Sequence, residues 1–149
     1  MPEKETVERA REDKREGKSP STQAGEFVRE EMHHVREGKH GAASSKQAIA
    51  IGLSTARRAG VNLPAPRAGS VSVDTRKKAA QDSRKGQSGS DRKVSSRRSR
   101  ATSNALKKKG QSAASHSALS RQARSTANRR GPAARRAAAV KASRTRKAA

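Results

Sequence analysis

The chain has 149 residues and a formal net charge of +23, with 30% hydrophobic residues, one Phe and no Trp or Tyr. So little large apolar side chain, spread over so much like charge, excludes a core in proportion to the length. The absence of cysteine excludes disulfides, thiol catalysis and cysteine-ligated zinc.

Charge is placed unevenly. Residues 1–60 hold 12 Lys/Arg and 10 Asp/Glu, whereas residues 61–149 hold 24 and 3. Residues 3–16 are rich in helix formers, with Glu8/Glu12 and Lys14/Arg15 able to pair along the surface, but only Val7 and Ala10 offer an apolar face. This predicts a marginal helix that Gly17 ends. Ser19-Pro20 opens a second helix, since Pro is tolerated in a first turn. Its stripe is Ala24, Val28, Met32 and Val35, with Phe27 at the edge, and Gly38 stops it.

The third helix carries start and stop signals at both ends. Ser44 followed by Gln47 reads as a capping box, Arg57 and Arg58 complement the negative C-terminal end, Gly60 supplies a left-handed cap, and Pro64 lies beyond. At 100° per residue Ile49, Leu53 and Ala56 share a face with Gly52, whose natural partner is the Val28/Met32/Val35 stripe. A weak repeat accompanies these ends: Arg15-Glu16-Gly17-Lys18 recurs as Arg36-Glu37-Gly38-Lys39, and Ser21-Thr22-Gln23-Ala24 as Ser45-Lys46-Gln47-Ala48. A helix-turn-helix reader fits poorly, because the connection between Gly38 and Ser44 exceeds the 3–4 residues of that motif.

Beyond Val61 the pattern dissolves into Leu63-Pro64-Ala65-Pro66 and a Ser/Gly/charge mixture. Residues 92–149 contain 18 Lys/Arg and no acid, a composition that predicts disorder when free, with helix forming in Ala-rich cassettes once phosphates neutralise the repulsion. The expected fold is therefore mainly α: a small N-terminal helical hairpin of two or three helices, then a long, largely disordered basic tail with transient Ala-rich helices. The expected organisation is a helical head (1–60), a Pro/Gly/Ser-rich linker (61–91) and a disordered basic tail (92–149).

The run Lys46-Gln47-Ala48-Ile49-Ala50-Ile51-Gly52-Leu53-Ser54 with Ala56-Arg57-Arg58-Ala59-Gly60, preceded by Arg36-Glu37-Gly38-Lys39-His40-Gly41, resembles a family of small basic bacterial proteins of uncharacterised function. The segment Ser117-Ala118-Leu119-Ser120-Arg121-Gln122-Ala123-Arg124 shares that likeness. The resemblance implies a bacterial origin and no particular activity. The Ala/Lys/Arg tail separately resembles linker-histone tails and bacterial histone-like proteins, which supports DNA binding by analogy.

The residues expected to contact nucleic acid are Arg76, Lys77, Lys78, Arg97, Arg98, Arg100, Lys107, Lys108, Lys109, Arg121, Arg124, Arg129, Arg130, Arg135, Arg136, Lys141, Arg144, Arg146 and Lys147. Mobile cations gain free energy by releasing condensed counterions from phosphates. No aromatic residue interleaves them, so phosphate contact with duplex is favoured over stacking on single-stranded bases. Ser and Thr beside Arg, as in Ser95-Ser96-Arg97-Arg98-Ser99-Arg100, read as solubilising filler before they read as phosphorylation sites.

His33, His34 and His40 invite a metal reading, but adjacent histidines point about 100° apart on a helix and no His pair has i, i+4 spacing. Together with Glu30 and Glu31 they read as solvated helix surface. No catalytic, cofactor or metal site is expected, and no enzyme, because nothing pairs a nucleophile with a base. The charged start and the lack of any run near 18 apolar residues argue for a cytoplasmic, nucleoid-associated protein without a membrane partner.

The function expected is sequence-nonspecific, histone-like coating or compaction of duplex DNA through the tail. The alternatives are RNA or ribosome binding, or a protein-interaction adaptor whose tail tethers it to nucleic acid. The head offers a surface for a homodimer or a protein partner.

Overall fold

In this computed structural model the described residues are 1–89 and 95–148. They form six helices: α1 (Lys4–Arg15), α2 (Pro20–Arg36), α3 (Ser45–Arg58), α4 (Val73–Gln87), α5 (Ser96–Lys107) and α6 (His116–Ala148). A single 3-10 turn, Ser112–Ala114, precedes α6, and no strand occurs among the described residues. Helix α2 is the centre of the head, packed against α1 on one side and α3 on the other, and α4 lies against α3.

The three head helices end in the same way because their sequences supply the same stop. Gly17, Gly38 and Gly60 follow the last turns, and the next residue donates its backbone N–H back to the carbonyl five residues earlier. The repeated Arg-Glu-Gly-Lys sequence is this device used twice. The start of α3 is likewise written locally: Gln47 N–H donates to Ser44 Oγ at 3.3 Å, and Gln47 Oε1 accepts from the Ala43 N–H at 2.7 Å. Ser44→Ala should cost about 1 kcal/mol, measurable as a lower midpoint in urea.

The α2–α3 interface is built from smaller residues than the hydrophobic pattern suggests. On α3 the buried positions are Ser45, Ala48, Gly52, Ala56 and Arg57, while Ile49 and Leu53 lie half-buried beside them. A Cβ on Gly52 would stand 2.7 Å from Val28 Cα and 3.0 Å from the Phe27 carbonyl oxygen, so the two backbones approach as closely as they do only because that Cβ is missing. Gly52→Ala would gain about 1 kcal/mol in helix propensity. Overpacking typically costs about 1–3 kcal/mol, so we expect net destabilisation, seen as a lower melting temperature.

Two apolar clusters result. One joins Phe27, 2% exposed, to Ala10, Ala24, Ala56 and Val61, flanked by Val7, Leu53 and Leu63. The other joins Met32, Val35, Ala42 and Ala48 to Ala113 and Ala114, with Val28, Ile49 and Leu119 against it. This second cluster overturns the expected long, disordered tail. Residues from beyond position 110 complete the core of the head, Ser45 Oγ donates to the Ala113 carbonyl at 2.6 Å, and Arg36 Nε donates to the Ala114 carbonyl at 2.9 Å.

The helices α5 and α6 are part of the fold in the free chain. The physical reason is that alanine forms helix without needing a core and fits where two backbones lie close, so a low-hydrophobicity segment can be ordered despite its charge. The loop after α2 fixes the tail as well: the Gly41 N–H donates to the Leu106 carbonyl and the Ala42 N–H to the Gly110 carbonyl, at 3.0 and 3.2 Å. Gly41 has no room for a Cβ, which would fall on the Lys109 carbonyl oxygen.

Arg57 is buried where the sequence suggests only a helix-end charge. Its Nε and Nη2 donate to the carbonyls of Leu63 and Pro64 at 3.3 and 3.1 Å, stapling the segment after α3 back onto the helix. Burial lowers its pKa, and Asp82 acts in the opposite direction. No helix among the described residues is long and apolar enough to cross a membrane.

Candidate nucleic-acid interface

Arg76, Lys77 and Lys78 stand on α4; Arg97, Arg98, Arg100 and Lys107 stand on α5, with Lys108 and Lys109 just after it. The other ten, from Arg121 to Lys147, are on α6. All nineteen are exposed, and none takes part in an ion pair among the described residues. They do not converge on a pocket.

Helix α6 breaks at Gly131 (φ 75°, ψ 169°), just before Pro132, into segments 116–130 and 132–148. The second segment is exposed along its length as far as residue 147, and its six cations at 135, 136, 141, 144, 146 and 147 spread over roughly two-thirds of the helix circumference at 100° per residue. Such a rod can touch phosphates from most sides and holds no single narrow face for reading a groove.

The head cations are placed differently. Arg9 bonds Glu26 at 2.7 Å and also pairs with Glu5; Lys18 lies 2.9 Å from Asp13 and 2.6 Å from Glu16; Arg29 is 3.5 Å from Glu26. Lys39 reaches Glu37 and Glu3 at 3.1 and 3.3 Å, and Arg58 reaches Asp82 at 3.4 Å. The hydrogen bond to Glu16, then that to Asp13, raises the pKa of Lys18. Those to Glu37 and Glu3 raise that of Lys39. Six of the ten acids of residues 1–60, Glu3, Glu5, Asp13, Glu16, Glu26 and Glu37, are thus engaged by lysines and arginines of the same segment.

A second feature was not read from the sequence. Glu30 and Glu31 are not solvated surface: they are 8% and 7% exposed. Glu30, Glu31 and His34 sit on one side of α2, and the reversal at Gly38 (φ 75°) returns His40 to the same place, while Glu3 arrives from the start of α1. His34 Nε2 is 3.1 Å from Glu3 Oε1 and 3.8 Å from Glu30 Oε1; His40 Nε2 is 3.6 Å from Glu31 Oε2. The imidazole rings meet edge to face, 6.1 Å apart.

Burial pushes the Glu31 carboxyl above its ordinary value, more than His40 and His34 pull it down. A cleft of about 310 Å³, lined in part by Glu3, Thr6, Arg9, Glu30 and His34, opens beside the cluster. The i, i+3 spacing of Glu31 and His34 and the i, i+4 spacing of Glu30 and His34 were the available signals. A search for His–His pairs alone passes over them. His33 is exposed and stands outside the cluster.

Compared with known proteins, residues 17–67 match a family described as a family of unknown function (DUF6496). That segment spans α2, α3 and the Pro-containing strand of chain after them. It includes Glu30, Glu31, His34 and His40, and it precedes all nineteen basic positions. Neither the curated proteins nor the solved structures contain a match.

Proposed function

We propose that the protein is a sequence-nonspecific DNA-binding protein that coats or compacts duplex DNA in the nucleoid through the cations of α4, α5 and α6. The observation that carries this reading is the sorting of charge: seven of the twelve cations in residues 1–60 are in ion pairs or hydrogen-bonded to backbone carbonyls, whereas the nineteen named cations from Arg76 onward are exposed and, among the described residues, free of ion pairs. Unpaired cations on rods contact phosphates at no cost in broken salt bridges, and distribution around the rod suits a backbone rather than base edges. The tail has no Phe, Tyr or Trp to stack on unpaired bases.

The test is a gel-shift series with full-length protein on two unrelated duplexes, with structured RNA as competitor. Equal shifts on both duplexes, and competition by RNA weaker than by DNA, are the expected result. Replacing Arg135, Arg136, Lys141, Arg144, Arg146 and Lys147 by Gln should lower the salt slope by about three, at roughly 0.9 per phosphate contact and about half of the cations in contact at once. Stronger competition by RNA would move the function to RNA or ribosome binding. A strong preference for one duplex would sink the nonspecific mechanism.

A further inference from the structure

We propose that Glu31, His34 and His40 bind a divalent first-row transition ion, with Zn(II) the natural choice for their nitrogen and oxygen donors. One donor atom from each of the three lies within 4.8 Å of the others. At metal–ligand bonds of about 2.0–2.2 Å, tetrahedral geometry places neighbouring donors roughly 3.3–3.6 Å apart. The 3.6 Å between His40 Nε2 and Glu31 Oε2 meets that span and exceeds a hydrogen bond.

An independent observation points the same way. Glu31 Oε1 and, on the adjacent residue, Glu30 Oε2 are buried side-chain oxygens without a hydrogen-bond partner, on side chains more than nine-tenths buried. Burying a carboxylate without a partner is costly, and a cation seated against it removes that cost. An ordinary buried His–Glu pair would close to hydrogen-bond distance instead. Two imidazoles with one carboxylate, and no thiolate, make a donor set suited to Zn(II) and its first-row neighbours rather than to Ca(II) or Mg(II). Glu30 and Glu3, gathered around His34, form the adjoining shell: Glu3 Oε1 lies 3.1 Å from His34 Nε2.

The site would join α2 to the loop that carries Gly41 and Ala42, and hence to the carbonyls of Leu106 and Gly110. Metal occupancy therefore bears on how firmly the tail is held.

The experiment is calorimetric titration of the full-length protein with Zn(II), paired with the visible spectrum of the Co(II) complex and thermal melts with and without metal. One ion per chain, an intense tetrahedral-type Co(II) band and a raised melting temperature are expected. His40→Ala, outside any helix, and the isosteric Glu31→Gln should each weaken binding by about a hundredfold or more, since even outer-shell partners are worth 10- to 100-fold. Circular dichroism of both variants should retain the helical signal, which separates loss of the site from loss of the fold. His33→Ala and His116→Ala should bind as the parent does. Absence of saturable binding, binding unchanged in His40→Ala and Glu31→Gln, or equal loss in His33→Ala would overturn the site.

Discussion

Between 50 and 200 mM salt the affinity of the full-length protein for an arbitrary duplex is expected to fall by about 10³- to 10⁵-fold. The magnitude follows from charge. The 18 cations after Asp91 equal the phosphate charge on about 31 Å of duplex, on the order of 9 base pairs at one charge per 1.7 Å. Because α5 and α6 are helical, the cations they carry point in several directions and cannot all meet phosphates together. About ten simultaneous contacts then give a slope of log affinity against log salt near −9. The measurement is fluorescence anisotropy across a salt series with several unrelated duplexes. A slope shallower than about −3, which roughly three phosphate contacts would give, is incompatible with phosphate neutralisation as the main source of affinity.

Phe27→Ala is expected to destabilise the head by about 3–5 kcal/mol. A domain of this kind has on the order of 5–15 kcal/mol in total, so much of its stability depends on the chain's only phenylalanine. Phe27 is buried with Ala10, Ala24, Ala56 and Val61, small neighbours that cannot collapse far into the space a ring leaves. Urea unfolding followed by circular dichroism gives the loss directly. The salt slope of DNA binding should stay within about one unit of the parent's, roughly one phosphate contact, because the proposed contacts lie on other helices. A collapse of DNA affinity in Phe27→Ala would place the head in the interface.

The local devices of the fold were legible in the sequence: the Ser44/Gln47 start of α3, the glycine ends of α1, α2 and α3, and the segregation of charge. The start and the glycine ends depend on residues within one turn or so of one another, and the segregation of charge on composition alone. The packing was less so, because hydrophobic weight drew attention to Ile49 and Leu53 where closeness is set by Ala48, Gly52 and Ala56. The order of the tail was hidden for the same reason. Ala113 and Ala114 carry almost no hydrophobic signal, yet they fill a gap left by Met32, Val35 and Ala48. The Glu31/His34/His40 cluster needed the backbone to reverse at Gly38, and no helical periodicity that treats residues 31–34 alone can bring residue 40 back.

With a formal charge of +2 over residues 1–60 against +21 over residues 61–149, the molecule is strongly asymmetric in charge along its chain. In the field of any polyanion a torque acts before contact, turning the tail inward and the head outward. Arrival is thus oriented, and its orientation weakens as added salt shortens the Debye length. Chains gathered on one surface in this way would show their neighbours a nearly neutral exterior, which sets how closely a second coated surface can approach.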